Sequence, residues 1–304
     1  MAFLRGWGVV AVLLAAAAWL SPGEARAFPD EPRSLDEGAN AHSKRFQVLG
    51  DLALFAGDIE GDAHAVLLSP VFELRFQLAE HWLLDAAWGF SYVNLEVEGA
   101  EANNSFRSGN PWIAFYYQGL KGQFSYRFGL GVTIPVASLP DEITTPDQVT
   151  AVAAYALAAA VRGNTMYWLW DPHSVSIIFP MGFERRKPSG FLWGTDLAVG
   201  VMLACCGSKS DRNPNQRNDA VIQMGAMMGY QAVKWLRVGS RFNFVILPKI
   251  PEQRTQVSVE PFLRFGSDNA FGSVGVVINL DNPWGFAFDK NQVWGLRIGG
   301  GAAF

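Results

Sequence analysis

The chain has 304 residues, is 50% hydrophobic and 13% aromatic, and carries a formal net charge of −4. A mildly acidic chain without a basic run gives nucleic acid no electrostatic footprint. Its two cysteines and four histidines form no zinc spacing, and no glycine loop of the phosphate-binding kind occurs. No cofactor, metal or catalytic set is expected.

Met1–Ala27 reads as a secretory signal peptide. Arg5 supplies the positive start, Gly8–Leu20 the apolar run, and Ala25-Arg26-Ala27 the small-x-small cleavage site. The apolar run falls short of the ~20 residues that a membrane helix needs. Loss of Arg5, Glu24 and Arg26 moves the net charge from −4 to −5. Residues 28–43 lack any period and read as a periplasmic tail. Residues 44–304 form one further unit.

That unit alternates apolar and polar residues with period 2, the signature of half-buried strands. Five such segments come first, at 45–56, 64–77, 82–95, 110–118 and 122–136. The third presents Trp82, Leu84, Ala86, Trp88, Phe90 and Tyr92 on one face. The fifth presents Phe124, Tyr126, Phe128, Leu130, Val132 and Ile134. Each segment is near or above the ~9–11 residues that a tilted strand needs to cross a bilayer.

A long loop, Ala137–Pro172, then interrupts the rhythm. Within it Thr145-Pro146-Asp147-Gln148 is a helix start, with Thr145 as cap, Pro146 in the first turn and Gln148 closing a capping box. Gly163 is the stop. The helix predicted over 146–162 is apolar almost all round and wants burial. It can fold into the barrel mouth and constrict it, lie at the outer-leaflet interface with Tyr167, Trp168 and Trp170, or cover a partner. Packing on the barrel rim is the simplest of these.

Seven more alternating segments come after the loop, at 173–185, 190–204, 219–231, 235–247, 255–266, 270–281 and 293–304. Short breaks (Leu78–His81, Gly119–Lys121, Arg186–Ser189, Ala232–Lys234, Ser267–Asn269) alternate with longer ones (Gly57–Ala63, Glu96–Gly109, Ala137–Pro172, Cys205–Asn218, Pro248–Arg254, Asn282–Gln292). Short turns on one side and long loops on the other are what an up-and-down barrel with both termini on the turn side requires. Aromatics gather at both strand ends. Phe76, Trp82, Tyr117, Phe124, Phe183, Trp193, Tyr230, Trp235 and Phe304 sit on the turn side. Tyr92, Trp112, Tyr167, Trp168, Trp170 and Trp294 sit on the loop side, as two interfacial girdles would. Pro70, Pro135, Pro180 and Pro261 run against the pattern, since each removes a ladder hydrogen bond. They leave the strand count at about 12, within ten to fourteen.

The last segment decides the class. Trp294, Leu296, Ile298, Gly300, Ala302 and Phe304 share one face, apolar or small throughout. Gly295, Arg297, Gly299, Gly301 and Ala303 share the other. A strand like this, closed by the aromatic Phe304, resembles the assembly signal of Gram-negative outer-membrane β-barrels. The resemblance covers residues 44–304 and concerns the class, not a family with its own site motif. It implies an all-β, transmembrane, antiparallel up-and-down barrel in the cell outer membrane. It also implies outer-membrane lipids, lipopolysaccharide and the barrel-assembly machinery as partners.

The inward parity carries Asp51, Glu73, Asp85, Glu184, Asp196 and Glu260 against Arg75, Arg127, Arg237, Arg241, Arg264 and Arg297. All its bases are arginine, the residue suited to bidentate pairing in low dielectric. Either these groups pair off and fill a narrow lumen, or they line a polar channel with an arginine-rich stretch at Arg237 and Arg241. Inward glycines such as Gly131, Gly200, Gly225 and Gly239 are expected to leave free volume for a channel.

Enzyme chemistry finds little support. An outer-membrane phospholipase of this strand number would require His-x-Ser. The residues two after His42, His64, His81 and His173 are Lys44, Val66, Leu83 and Val175. Asp58–Asp62 is half a calcium loop without the sixth-position glycine and reads as solvated loop. Cys205 and Cys206 are adjacent, with consecutive Cα atoms about 3.8 Å apart, so a vicinal disulfide is allowed but strained. It would stiffen a loop. A porin-like channel for small solutes is the leading expectation. A structural or adhesive barrel acting through its outer loops is the alternative, ahead of a lipid-modifying enzyme.

Overall fold

A computed structural model describes residues 46–59, 63–98, 101–121, 123–140, 143–185, 190–205, 219–248, 255–266, 270–281, 287–288 and 292–304. The expected signal peptide, the tail and Cys206 lie outside them.

Thirteen strands of the described residues form one antiparallel sheet. They are β1 (Phe46–Ile59), β2 (Ala63–Ala79), β3 (Trp82–Val97), β4 (Asn103–Ser108), β5 (Trp112–Lys121), β6 (Phe124–Thr133), β7 (Ser174–Arg185), β8 (Gly190–Ala204), β9 (Asp219–Val233), β10 (Leu236–Ile246), β11 (Thr255–Gly266), β12 (Ala270–Asn279) and β13 (Trp294–Ala303). Strands pair with their neighbours in sequence, except that β5 pairs with β3 past β4, and β1 pairs with both β2 and β13, so the sheet closes. At the seam Phe46 and Phe304 exchange backbone hydrogen bonds of 2.9 and 3.4 Å, and their rings stack. Closure leaves the wall no continuous edge, which a bilayer would not tolerate.

The thirteen strands fill twelve wall positions. The extra one, β4, is a correction to the expected loop Glu96–Gly109, while the expected strand at 110–118 is β5. β3 pairs through Trp82–Ala87 with β5 and through Phe90–Leu95 with β4. One wall position is thus filled by two strands in line, broken at Gly109-Asn110-Pro111. The break has a cause: Asn110 turns from sheet pairing to hold the loops. Its Oδ1 accepts from Val136 and Ala137, and its Nδ2 donates to the carbonyls of Trp168 and Asp171.

The prolines fit by lapses in the ladder on one side. β2–β3 pairing skips Ser69 and Pro70, β6–β7 skips Phe179 and Pro180, and β11–β12 skips Glu260 and Pro261. Pro135 lies beyond the end of β6. The β1–β2 connection is tighter than expected, because pairing continues to Ile59↔Ala63.

The outer surface is apolar. Phe72, Phe115, Phe128, Phe179, Phe242 and Leu263 are all exposed there. At the turn end Trp82 packs on Tyr117, and Phe183 lies between Phe124 and Trp193. The core is inside the barrel. One helix of the described residues, α1 (Pro146–Ala160), lies there, and no described helix is long and apolar enough to cross a membrane.

Candidate functional site

The lumen is divided into two halves. The loop-end half is filled by the segment from Pro146 to Trp170. Its start is as the sequence predicts: Pro146 opens the helix, and the Gln148 side chain accepts from the backbone N–H of Thr144 and Thr145. The rest of the helix is mostly alanine. Ala151, Ala154, Leu157, Ala158, Ala159, Ala160 and Val161 are buried. They pack on side chains that the sheet aims inward, among them Phe55, Leu67, Val93 and Leu95. Small side chains let the helix come close to the wall. The Ser91 hydroxyl donates to the carbonyl of Ala154 at 2.7 Å, and Asn279 Nδ2 donates to that of Ala160 at 3.0 Å.

The helix therefore does not rest on the rim. It lies inside, where an all-round apolar surface finds cover without lipid. The chain then crosses the lumen. Gly163 adopts a left-handed φ of 63° beside Ser258 and Val277, and the N–H of Met166 donates to Gln223 on β9 at 2.8 Å. A short 3-10 turn, Tyr167–Leu169, ends the crossing against β5. Trp168 packs on Trp112 with the rings tilted by 40° and 5.4 Å between centroids. Trp112, Trp168 and Trp170 are thus lumen residues, 2–3% exposed, and not members of an interfacial girdle. The aromatic stripe is real, but its partner is the inward face of the sheet.

The turn-end half holds the expected charges, ten of the twelve in three groups. Asp51, Arg297, Glu260 and Arg241 form a chain, with Arg297–Asp51 at 3.0 Å, Arg297–Glu260 at 3.0 Å and Arg241–Glu260 at 3.4 Å. Arg75 pairs with Glu73 and lies 3.4 Å from Asp85, with Arg127 beyond them, 5.8 Å from the ring centroid of Tyr116. Arg237 approaches Glu184 at 3.9 Å and donates to Gln231 at 3.2 Å. Arg264 sits over the ring of Phe271. Asp196 lies across Gly225, in the row that continues to Asn243.

One functional residue is not evident from the strand pattern. Arg162, just past α1, is buried and pairs with Asp51, and it donates to the carbonyl of Ser69. Its guanidinium lies 6.0 Å from the ring centroid of Trp170. It lies on no strand, so parity could not place it. The signal in the sequence is that Arg162 is the one charged residue between Asp147 and Asp171.

The inward glycines do not leave the expected volume. A Cβ at Gly131 would strike the ring of Trp112, at Gly200 the side chain of Ile178, and at Gly225 the carboxylate of Asp196. Large inward side chains lean across their neighbours and take the space. Cys205 comes just after β8, its N–H bonded to the carbonyl of His173 at 2.8 Å. Among the described residues no group of His, Cys, Asp and Glu has the arrangement to hold a metal ion.

No family model matches the chain, and no curated protein does. Solved structures do. An outer membrane channel from Pseudomonas putida F1 superposes with a TM-score of 0.56 at 9% identity, over 94% of this chain and all of that one. NanC porin gives 0.47 at 8% identity over 85% and 98% of the two chains. The translocator domain of autotransporter NalP from Neisseria meningitidis gives 0.43 at 9% over 87% and 90%. At such identity the likeness is one of fold. The chain has the fold of the Gram-negative outer-membrane β-barrels.

Proposed function

We propose that this protein is an outer-membrane conduit for small solutes whose path runs through the charged turn-end vestibule and is closed by the Pro146–Trp170 segment. Export by the N-terminal signal peptide, insertion aided by Phe304, and contact with lipid and lipopolysaccharide belong to the same reading. The observation that carries it is the wetness of the vestibule. Arg127 and Asp196 are exposed although they belong to the inward parity, and the Arg241 side chain is 40% exposed. A barrel packed through its whole height would bury these groups or replace them, and burying charge is costly in a dry interior. Water therefore reaches these side chains from the turn end, and the plug stands between them and the loop end. The channel from Pseudomonas putida F1 supports this reading by shape.

A second reading, a permanently filled barrel acting through its outer loops, is favoured by the same plug, which touches the wall from β1 to β13. Single-channel recording separates the two. Refolded protein with the plug replaced by a short Gly-Ser linker conducts in discrete steps if the lumen is a conduit. It stays silent if residual lumen packing already seals it.

A further inference from the structure

The chain of charges in the vestibule does not end at the wall. Arg162 on the plug pairs with Asp51 on β1, Asp51 with Arg297 on β13, Arg297 with Glu260 on β11, and Glu260 with Arg241 on β10. The signs alternate along all five. One end is sealed under the plug, with the Arg162 side chain 5% exposed, and the other opens to the vestibule, with Arg241 at 40%. We propose that this chain is the latch of the plug: Arg162 holds the closed state, and breaking its pairing with Asp51 opens the conduit. The inference rests on the conduit reading.

The physical case lies in how unevenly the plug is fastened. Around Arg162 the helix meets the wall mostly through alanine and single hydrogen bonds, while the bulky contacts, Trp168, Leu169 and Trp170, lie at the far end of the plug. Arg162 is the plug's charged anchor, and it satisfies Asp51, the Ser69 carbonyl and the Ser69 hydroxyl together. A buried guanidinium with these partners is stable only while they remain in place, since a partner lost leaves a charge in low dielectric. That makes the contact close to all-or-none, as a two-state device requires. The alternation also couples the latch to the vestibule. Asp51 is shared between Arg162 and Arg297, and Glu260 between Arg297 and Arg241. A small anion drawn to the exposed guanidinium of Arg241 frees Glu260 for Arg297. Arg297 then holds Asp51 less and leaves it more to Arg162, so an anion arriving at Arg241 tightens the latch.

The test is open probability in planar bilayers for the full mature chain and its variants, with heat-dependent electrophoretic mobility to verify the folded barrel. Arg162→Gln and Asp51→Asn should each raise the open fraction about tenfold or more. Arg162→Lys, which keeps the charge but not the fork that spans Asp51 and Ser69, should open less often than Arg162→Gln and more often than wild type. Asp51→Asn leaves the plug sequence intact and reads the same equilibrium should Arg162→Gln fail to fold. If both variants fold and open no more often than wild type while the linker-replaced protein conducts, the latch is wrong and the conduit stands. If the folded linker-replaced protein is silent, the conduit and its latch fall together.

Discussion

Gly295 lies directly under Val161. A Cβ built on Gly295 would stand 2.8 Å from the carbonyl carbon of Val161 and 3.0 Å from its Cα, with the carbonyl oxygen closer still. The plug thus seats backbone on backbone, the last turn of its helix against the bare stretch of β13. A side chain at this point cannot be accommodated by rotating a neighbour, because the obstacle is main chain.

Gly295→Val should therefore lift the plug from β13 without breaking the wall, whose pairing with β12 and β1 does not involve the side chain. Open fraction should rise about as far as in the Arg162 variants, while heat-dependent mobility remains that of a folded barrel. A closed channel with ordinary stability in this variant would mean that the seat is not needed for closure.

Phe128 is 53% exposed on the outer face of β6, between Tyr126 and Leu130. Phe128→Arg places a guanidinium in oil, at a cost of about 2–4 kcal/mol near the bilayer midplane. Folding yield into lipid vesicles should drop by more than tenfold. Tyr116→Arg, one strand away on the inward face of β5, should cost assembly less. Equal yields for wild type and Phe128→Arg would refute the facing of β6.

Asp171 lies outside the strands, where the plug returns to the wall. Burial pushes its carboxyl up to about 6, aided by the charge of Asp219 and opposed by a Ser174 hydrogen bond and by His173. The fold thus favours the protonated form. The stability this gives is full below the ordinary carboxylate value near 3.8 and is lost as pH rises through about 6. Protection of Tyr167–Leu169 against hydrogen exchange should fall between pH 4 and pH 7, and Asp171→Asn should flatten the profile. A flat wild-type profile over that range would count against a buried carboxyl here.

Arg241 is the exposed end of the charge chain and lies 4.6 Å from the ring centroid of Phe262. Arg241→Ala in the linker-replaced protein should shift the reversal potential in a salt gradient towards cations by several millivolts, because Glu260 and Asp196 then dominate the vestibule. An unchanged reversal potential would remove Arg241 from the path.

Strands are legible in this sequence and the plug is not, for one physical reason. A strand's facing follows from its own alternation, so Trp82 to Tyr92 and Phe124 to Ile134 declare their side without reference to anything else. The place of an all-apolar helix is set by what it meets, and Ala151 to Val161 would suit lipid, a partner or a lumen equally. The inward residues that receive it, Phe55, Leu67 and Val93, are as apolar as the outward ones, and that is the hint the sequence carries. Both faces of β1 to β3 are apolar there, which a water-filled lumen would not require. The split of the fourth wall position is also hidden, because Asn110 breaks the ladder through contacts with Val136, Ala137, Trp168 and Asp171 that lie 26 to 61 residues away. The charge pairs follow parity, but which acid meets which arginine depends on the register, which no local pattern states.

A conducting path beneath the plug is the proposition on which the latch, the seat at Gly295 and the role of Arg241 all depend. Its sharpest test is the single-channel conductance of refolded residues 28–304, recorded beside the linker-replaced protein. Brief, rare, salt-dependent steps are expected for the complete chain and long-lived steps for the linker-replaced one. Two folded, silent barrels would refute the path and leave function to the loops and the outer face.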